Sequence, residues 1–381
     1  MLRRRLACVL FICFLFLSGR ATGTEPEVKK GQAPTPPPVT RHVFVVVIEG
    51  LQAQVLESGR VPNLEGLAAA GVSVPSVTGV QPSTLAAATA SVLTGTDPSR
   101  HGCLHGGETL RVPSLPLLME KQGIVTAFFD ASRSLSGLSR GVSLRYSGPA
   151  RDPDALEAFL KVLRERRPYF SVLVLRGPGS SHFQKGPQSG RYLEAVAQAD
   201  VLIGRLLQYL YQEALFEQST FVIAGTGENP ALILKGLAFK SGVRLPPAGL
   251  TDAGRTLAYV TGLKLSAPTG LVLWNALAAG PYHSEEYLLE ARVKDLSEAY
   301  LHARREINAL HRERRLVQEE RAAIAREKEV SRRTVSERDA RIRALTWRIR
   351  ALEALSIVLV VIFGAGYIIE YRILKRRFLL F

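Results

Sequence analysis

Apolar runs and helical patterns alternate along the first two thirds of the chain. His42–Ile48, HVFVVVI, is a continuous run rich in β-branched residues, the pattern of a strand covered on both faces of a parallel sheet. Val61-Pro62-Asn63-Leu64 then opens a short helix that closes at Ala70-Gly71. A helix of small residues is predicted over Leu85–Leu93, ending at Thr94-Gly95 and a Pro98…His101-Gly102 turn. Further helices are expected over Pro113–Gln122, Asp152–Arg166, Ser189–Leu215 and Asp252–Gly262. Strands are expected at Ile124–Asp130, Tyr169–Leu175, Thr220–Ala224 and Ala231–Leu234. This alternation predicts an α/β domain over residues 41–280, with a mostly parallel sheet flanked by helices.

At Ser284 the pattern changes. Gly and Pro vanish, and apolar residues recur in heptads over residues 284–353. With Val293 at a and Leu296 at d, the seam takes Leu289, Tyr300, Ala303, Ile307, Leu310, Val317, Ile324, Val335, Ile342, Leu345, Ile349 and Leu352. Arg314, Arg321, Lys328, Ser331 and Arg338 interrupt it. The pattern predicts a long helix that either self-associates as a coiled coil or is a single charged helix, packed back on the domain or standing as a stalk. Residues 354–369, ALSIVLVVIFGAGYII, carry no charge, and a transmembrane helix is predicted over 354–374 with a short basic tail at 375–381.

Residues 1–23 have the layout of a secretory signal: Arg3–Arg5, a short apolar run, then small residues. Residues 24–40 form a proline-rich linker that includes Pro36–Pro38. Arginines flank the C-terminal apolar run on both sides, so charge alone leaves its orientation open. The signal places the main domain on the extracytoplasmic side of a membrane, and a cytosolic domain with a C-terminal anchor is the alternative reading.

The net charge of +15 arises from 49 Lys and Arg against 34 Asp and Glu. These charges are dispersed over the termini and the mixed-charge helix, which argues for lipid headgroups as partners and against nucleic acid. The expected partners are therefore the bilayer and a second copy of the 284–353 helix. Of the three cysteines, Cys8 and Cys13 fall in the signal, and Cys103 is left without an intramolecular disulfide partner.

The motifs, taken together, carry a resemblance. They are Glu49-Gly50-Leu51, Val61-Pro62-Asn63-Leu64, Pro82-Ser83, Thr94-Gly95, Pro98 with His101-Gly102, Tyr192-Leu193-Glu194-Ala195 through Asp200, and Thr251-Asp252…Arg255-Thr256-Leu257. In this order they resemble the alkaline phosphatase superfamily, in its branch of type I phosphodiesterases and nucleotide pyrophosphatases. The resemblance spans about residues 41–275. It implies two metal ions, usually zinc, a Thr or Ser nucleophile and hydrolysis of phosphate esters, with the paired cations holding both the attacking and the leaving oxygen.

Several positions depart from that pattern. Glu49 stands where the family's first Asp ligand is expected. Leu85 occupies the nucleophile position, and Ala88 the place of the phosphate-holding Asn. Thr84 lies one residue early, about 100° around a helix. Pro178 replaces an acid ahead of His182, and Gly225-Thr226-Gly227 replaces Asp-His-Gly, with Glu228 displaced. His101 and His105 are possible recruits, with His101 also read as closing its turn, and His283 is comparable with the family's final His in a context that does not match.

Glu49 and His182 are thus expected as remnants of a metal centre. The reading is a membrane-anchored pseudoenzyme that has lost metal-dependent hydrolysis, binds no cofactor and acts in binding or assembly. The alternative is an active hydrolase with a remodelled zinc or other divalent-metal site, using Thr84 or Ser83 as nucleophile.

Overall fold

The computed structural model describes residues 40–179, 189–280 and 284–378. The signal segment, nearly all of the linker, His182, His283 and the last residues of the basic tail lie outside the described residues. The chain divides into two compact units, with the boundary between Ala299 and Tyr300.

The first unit is built on ten strands: β1 (His42–Ile48), β2 (Val72–Val74), β3 (Val77–Thr78), β4 (Thr126–Asp130), β5 (Leu144–Arg145), β6 (Phe170–Leu175), β7 (Ser219–Gly225), β8 (Leu232–Lys235), β9 (Val243–Arg244) and β10 (Ala248–Gly249). Eight of them form one sheet in the order β5-β4-β6-β1-β7-β8-β2-β9, and β3 pairs with β10 apart from it. From β5 through β7 every pairing is parallel. The β7–β8 and β8–β2 pairings are antiparallel. The short connection between β7 and β8 explains the first reversal, because a parallel pair needs a crossover of a dozen or more residues.

The main helices are α1 (Pro62–Ala69), α2 (Leu85–Thr94), α3 (Pro98–His101), α4 (Leu115–Glu120), α5 (Asp152–Arg166), α6 (Gly190–Gln212), α7 (Leu250–Val260) and α8 (Glu285–Phe378). β1 occupies the middle of the sheet and alternates between two cores. Val43, Val45 and Val47 face the layer that contains α2 and α7. Phe44, Val46 and Ile48 face the layer of α1, α5 and α6. All seven residues of β1 are buried, which is why the strand tolerates no polar alternation.

Two close contacts set the helix layers. On one side α7 approaches α2 so closely that a Cβ at Gly254 would collide with the Val92 carbonyl and come within 2.7 Å of the Gly95 amide. On the other side, Asp200 of α6 reaches the start of α1. Its carboxylate accepts hydrogen bonds from the Leu64 N–H at 2.8 Å, the Asn63 N–H at 3.2 Å and Asn63 Nδ2 at 2.8 Å. Asn63 Nδ2 also donates to the Asp200 carbonyl at 3.2 Å. Asp200 is 2% exposed, so its charge is held by the free amides of a helix N-terminus rather than by water. The Pro62-Asn63-Leu64 motif therefore has a structural purpose.

The second unit is the part of α8 from residue 300 onward. It is long and apolar enough to cross a membrane, by length and composition. The heptad and apolar segments distinguished in the sequence run as one uninterrupted helix.

Replacing Asp200 by Ala leaves the Leu64 and Asn63 amides buried without an acceptor. The expected loss is about 3 kcal/mol, since hydrogen bonds to charged groups contribute ~1.5–3 kcal/mol each. Asp200→Asn should lose less, because it keeps one acceptor oxygen. Urea unfolding followed by circular dichroism would measure both.

Candidate functional site

In an open α/β sheet, ligands gather beyond the carboxyl ends of the central strands. Here those ends are the residues after β1, β6 and β7. Glu49 follows β1 and is partly buried, and its backbone N–H donates to the Leu175 carbonyl at 2.8 Å. Gly50 turns the chain at φ +77°. Its N–H donates to Thr226 Oγ1 at 2.8 Å, and its carbonyl accepts the Tyr192 hydroxyl at 2.9 Å. A Cβ at Gly50 would stand 2.8 Å from Gly179 Cα. In turn, a Cβ at Gly179 would overlap the Glu49 side chain at Cγ and Cδ. The loops after β1, β6 and β7 thus close directly on one another.

Burial raises the Glu49 carboxyl above its ordinary value. Arg176 opposes that shift, and Asp152 and Asp130 reinforce it. Both of these acids are occupied by hydrogen bonds from backbone amides, Asp152 from the segment after β6 and Asp130 from its own loop. Asp152 accepts from the Arg176 and Gly177 amides at 3.1 and 3.0 Å. Asp130 accepts from the Ser132 and Leu135 amides, each at 2.8 Å.

The nucleophile position and its neighbour fall at the start of α2. Leu85 is its first residue and is buried, as is Ala88. Thr84 is the N-cap. Its hydroxyl accepts from the Ala87 N–H at 3.1 Å and donates to the Leu104 carbonyl at 2.7 Å. Both roles of that hydroxyl are therefore used in holding the helix start.

His101 closes the far end of this segment. Its Nδ1 accepts the Cys103 N–H at 3.0 Å, so that nitrogen carries no proton. Its Nε2–H then donates to Ser91 Oγ at 3.0 Å. Burial depresses the imidazole pKa from 6.5 to about 4. Burial likewise raises the Cys103 thiol, keeping it protonated. His105 and Glu228 are exposed.

Among the described residues, no group of three or more His, Cys, Asp and Glu side chains is spaced to hold a metal ion. A two-metal centre needs about six ligands to offset the repulsion between paired cations. Glu49 is the one described side chain at a position where the resemblance implies a ligand, so the described residues do not fit such a centre. Sequence reasoning placed Glu49, Thr84, Leu85 and Ala88 on the elements where they are found. It missed the Tyr192 and Thr226 hydrogen bonds to Gly50, which join residues far apart in the chain.

Comparisons with known proteins bear on the fold of this unit. The model of the family described as type I phosphodiesterase / nucleotide pyrophosphatase matches residues 43–106 and 130–227. Among solved structures, murine ectonucleotide pyrophosphatase / phosphodiesterase 5 is similar at TM-score 0.53 and 11% identity, covering 62% of this chain and 100% of that one. The human protein of the same name gives the same values. An inactive murine form in complex with AMP is similar at TM-score 0.52, with the same identity and coverage. No curated protein matches the sequence.

Two titrations test the local chemistry. Between pH 6.5 and about 4 the unfolded chain binds a proton at His101 that the native protein does not. Stability should therefore fall with pH across that window, by about 3 kcal/mol at most. Urea midpoints at several pH values should show this slope in the wild type and a shallower one in His101→Gln. Glu49 has the opposite sign, because its raised native pKa means that the stabilising proton is lost as pH rises. Glu49→Gln should be more stabilising relative to wild type at pH 7 than at pH 4. Zinc should not raise the wild-type melting temperature selectively over the variant.

Over residues 43–106 and 130–227 the α/β unit is similar to the type I phosphodiesterase / nucleotide pyrophosphatase family of the alkaline phosphatase superfamily, and it shares the fold of the solved structures above.

Proposed function

We propose that this protein is a membrane-anchored, non-hydrolytic relative of the type I phosphodiesterases, whose α/β unit serves in binding or assembly. The observation that carries this reading is the closed arrangement at the sheet's carboxyl edge. Gly179 lies on Glu49, and Thr226 is spent on the Gly50 amide. Leu85, buried at the start of α2, stands where the resemblance implies a nucleophile.

Hydrolysis by the family's mechanism would need a hydroxyl deprotonated by a bound metal. Thr84 acting as that hydroxyl would lose the bond it donates to the Leu104 carbonyl, while its oxygen is also engaged by the Ala87 N–H. The murine protein, in a form inactivated by substitution of a threonine, is in complex with AMP, so that protein holds a nucleotide without turning it over. The anchor in this reading is the apolar part of α8, with the α/β unit on the extracytoplasmic side.

Purified protein should contain less than one zinc per chain by elemental analysis. It should turn over a chromogenic phosphodiester no faster than buffer does, with or without added zinc. Leu85→Thr should not restore turnover, because a nucleophile without its metals is not activated. Two bound metals per chain, with turnover abolished by Glu49→Gln, would reject the proposal in favour of a remodelled hydrolase.

A further inference from the structure

The second unit exposes an apolar seam with a charge pattern beside it. Along residues 300–353, Tyr300, Ile307, Leu310, Val317, Ile324, Val335, Ile342, Leu345, Ile349 and Leu352 are all exposed. They lie at a and d positions on one side of the helix. In the middle the a positions turn basic, as Arg314, Arg321 and Lys328. Each is preceded at g by a glutamate: Glu313, Glu320 and Glu327. Among the described residues of this unit the ion pairs are His302–Glu306 and Glu329–Arg333, and neither uses any of those six residues.

We propose that this seam is the interface of a parallel, in-register, two-stranded coiled coil formed with a second copy of the chain. In such a pair each a side chain enters a hole bordered by the preceding g residue of the facing helix. Arg314, Arg321 and Lys328 would then each meet the glutamate that precedes the same position in the other copy. A two-stranded seam leaves the ends of a side chains near water, so long basic residues keep their heads solvated while their stems cover apolar surface.

The flanking charges agree. In the parallel register each g residue faces the e residue five positions on. This sets Glu327 against Arg332, Arg348 against Glu353 and Glu306 against His311. The remaining g–e pairs within 306–353 join at least one uncharged residue, as Glu313 with Gln318, Glu320 with Ala325, Thr334 with Asp339 and Arg341 with Thr346. None of these g–e pairs joins like charges, and the like charges that meet across the seam are offset by facing acids, at Arg314, Arg321 and Lys328 by the preceding g glutamates and at Arg338 by Asp339 at e. The direction follows from the same helix, whose apolar segment would carry both copies into one bilayer from the same side. This inference uses no residue of the α/β unit and stands whether or not the proposed loss of hydrolysis holds.

Disulfide trapping of the full chain in detergent micelles tests it, in a Cys8→Ser/Cys13→Ser background. Ile324→Cys, at d, should oxidise to a species of two chains, and Leu316→Cys, at c, should not. Adding Glu313→Lys, Glu320→Lys and Glu327→Lys to Ile324→Cys should lower the trapped fraction by about tenfold, from summed pair losses and new repulsion. Further addition of Arg314→Glu, Arg321→Glu and Lys328→Glu should restore it. Equal trapping at both cysteines, no trapped product, a product larger than two chains, or a yield indifferent to the charge reversal would each overturn the proposal.

Discussion

The turn at Gly50 is the constraint on which the rest of the α/β unit depends. The central strand β1 has neighbours on both sides and helices on both faces, so the chain must leave it within very little space. A left-handed residue without a side chain does this, at φ +77° and with Gly179 Cα only 2.8 Å from where a Cβ would stand. Both polar groups of that residue are satisfied from distant parts of the chain, the amide by Thr226 and the carbonyl by Tyr192. One step on, the Leu51 carbonyl accepts the Ala231 N–H at 3.0 Å, which seats the start of β8. The loop after β6, the β7–β8 connection and the start of α6 therefore converge on a single turn. These hydrogen bonds lie at the carboxyl edge of the sheet, where an open α/β sheet ordinarily receives a ligand.

Much of this architecture is legible in the sequence, and the exceptions have physical reasons. β1 and α5 have the bounds expected, because one is an unbroken apolar run and the other opens with Asp152-Pro153. Strands of two or three residues, such as β3, β5 and β10, are too short to display a period of two. The antiparallel course of β8 is invisible in its composition, since direction follows from how short the connection is. The two segments expected in the C-terminal third join into one helix because no proline or capping residue separates them.

The site was legible in its positions and less so in its interactions. Glu49 at a strand end and Leu85 at a helix start follow from local pattern alone. Thr84 also has a local reading, as the capping hydroxyl ahead of a helix, and the structure places it in that role. What local pattern cannot carry is pairing across the chain. Asp200 with Asn63 and Leu64, Tyr192 with Gly50, and Thr226 with Gly50 each join residues more than a hundred positions apart. Several motifs that supported the resemblance turn out to be members of these pairs. They record the geometry of the fold rather than its reaction.

That distinction bears on how, under the proposed reading, such a fold would persist without a two-metal centre. A two-metal centre brings carboxylates together, and without cations those charges repel and resist burial. Under the proposed reading the chain avoids that cost by carrying Pro178, Thr226 and Leu85 where charged or reactive groups would otherwise stand. Glu49 is the instructive exception. It has kept its charge-bearing group, and burial with nearby Asp130 and Asp152 drives its pKa upward while Arg176 compensates only in part. Under the proposed reading, this is a carboxyl kept from a metal site whose other ligands have been replaced. The hydrogen bonds through Asp200, Tyr192 and Thr226 have no such dependence on a cation. They hold the frame whether or not the chemistry remains, so the family's pattern stays readable in a chain whose described residues cannot assemble its metal centre.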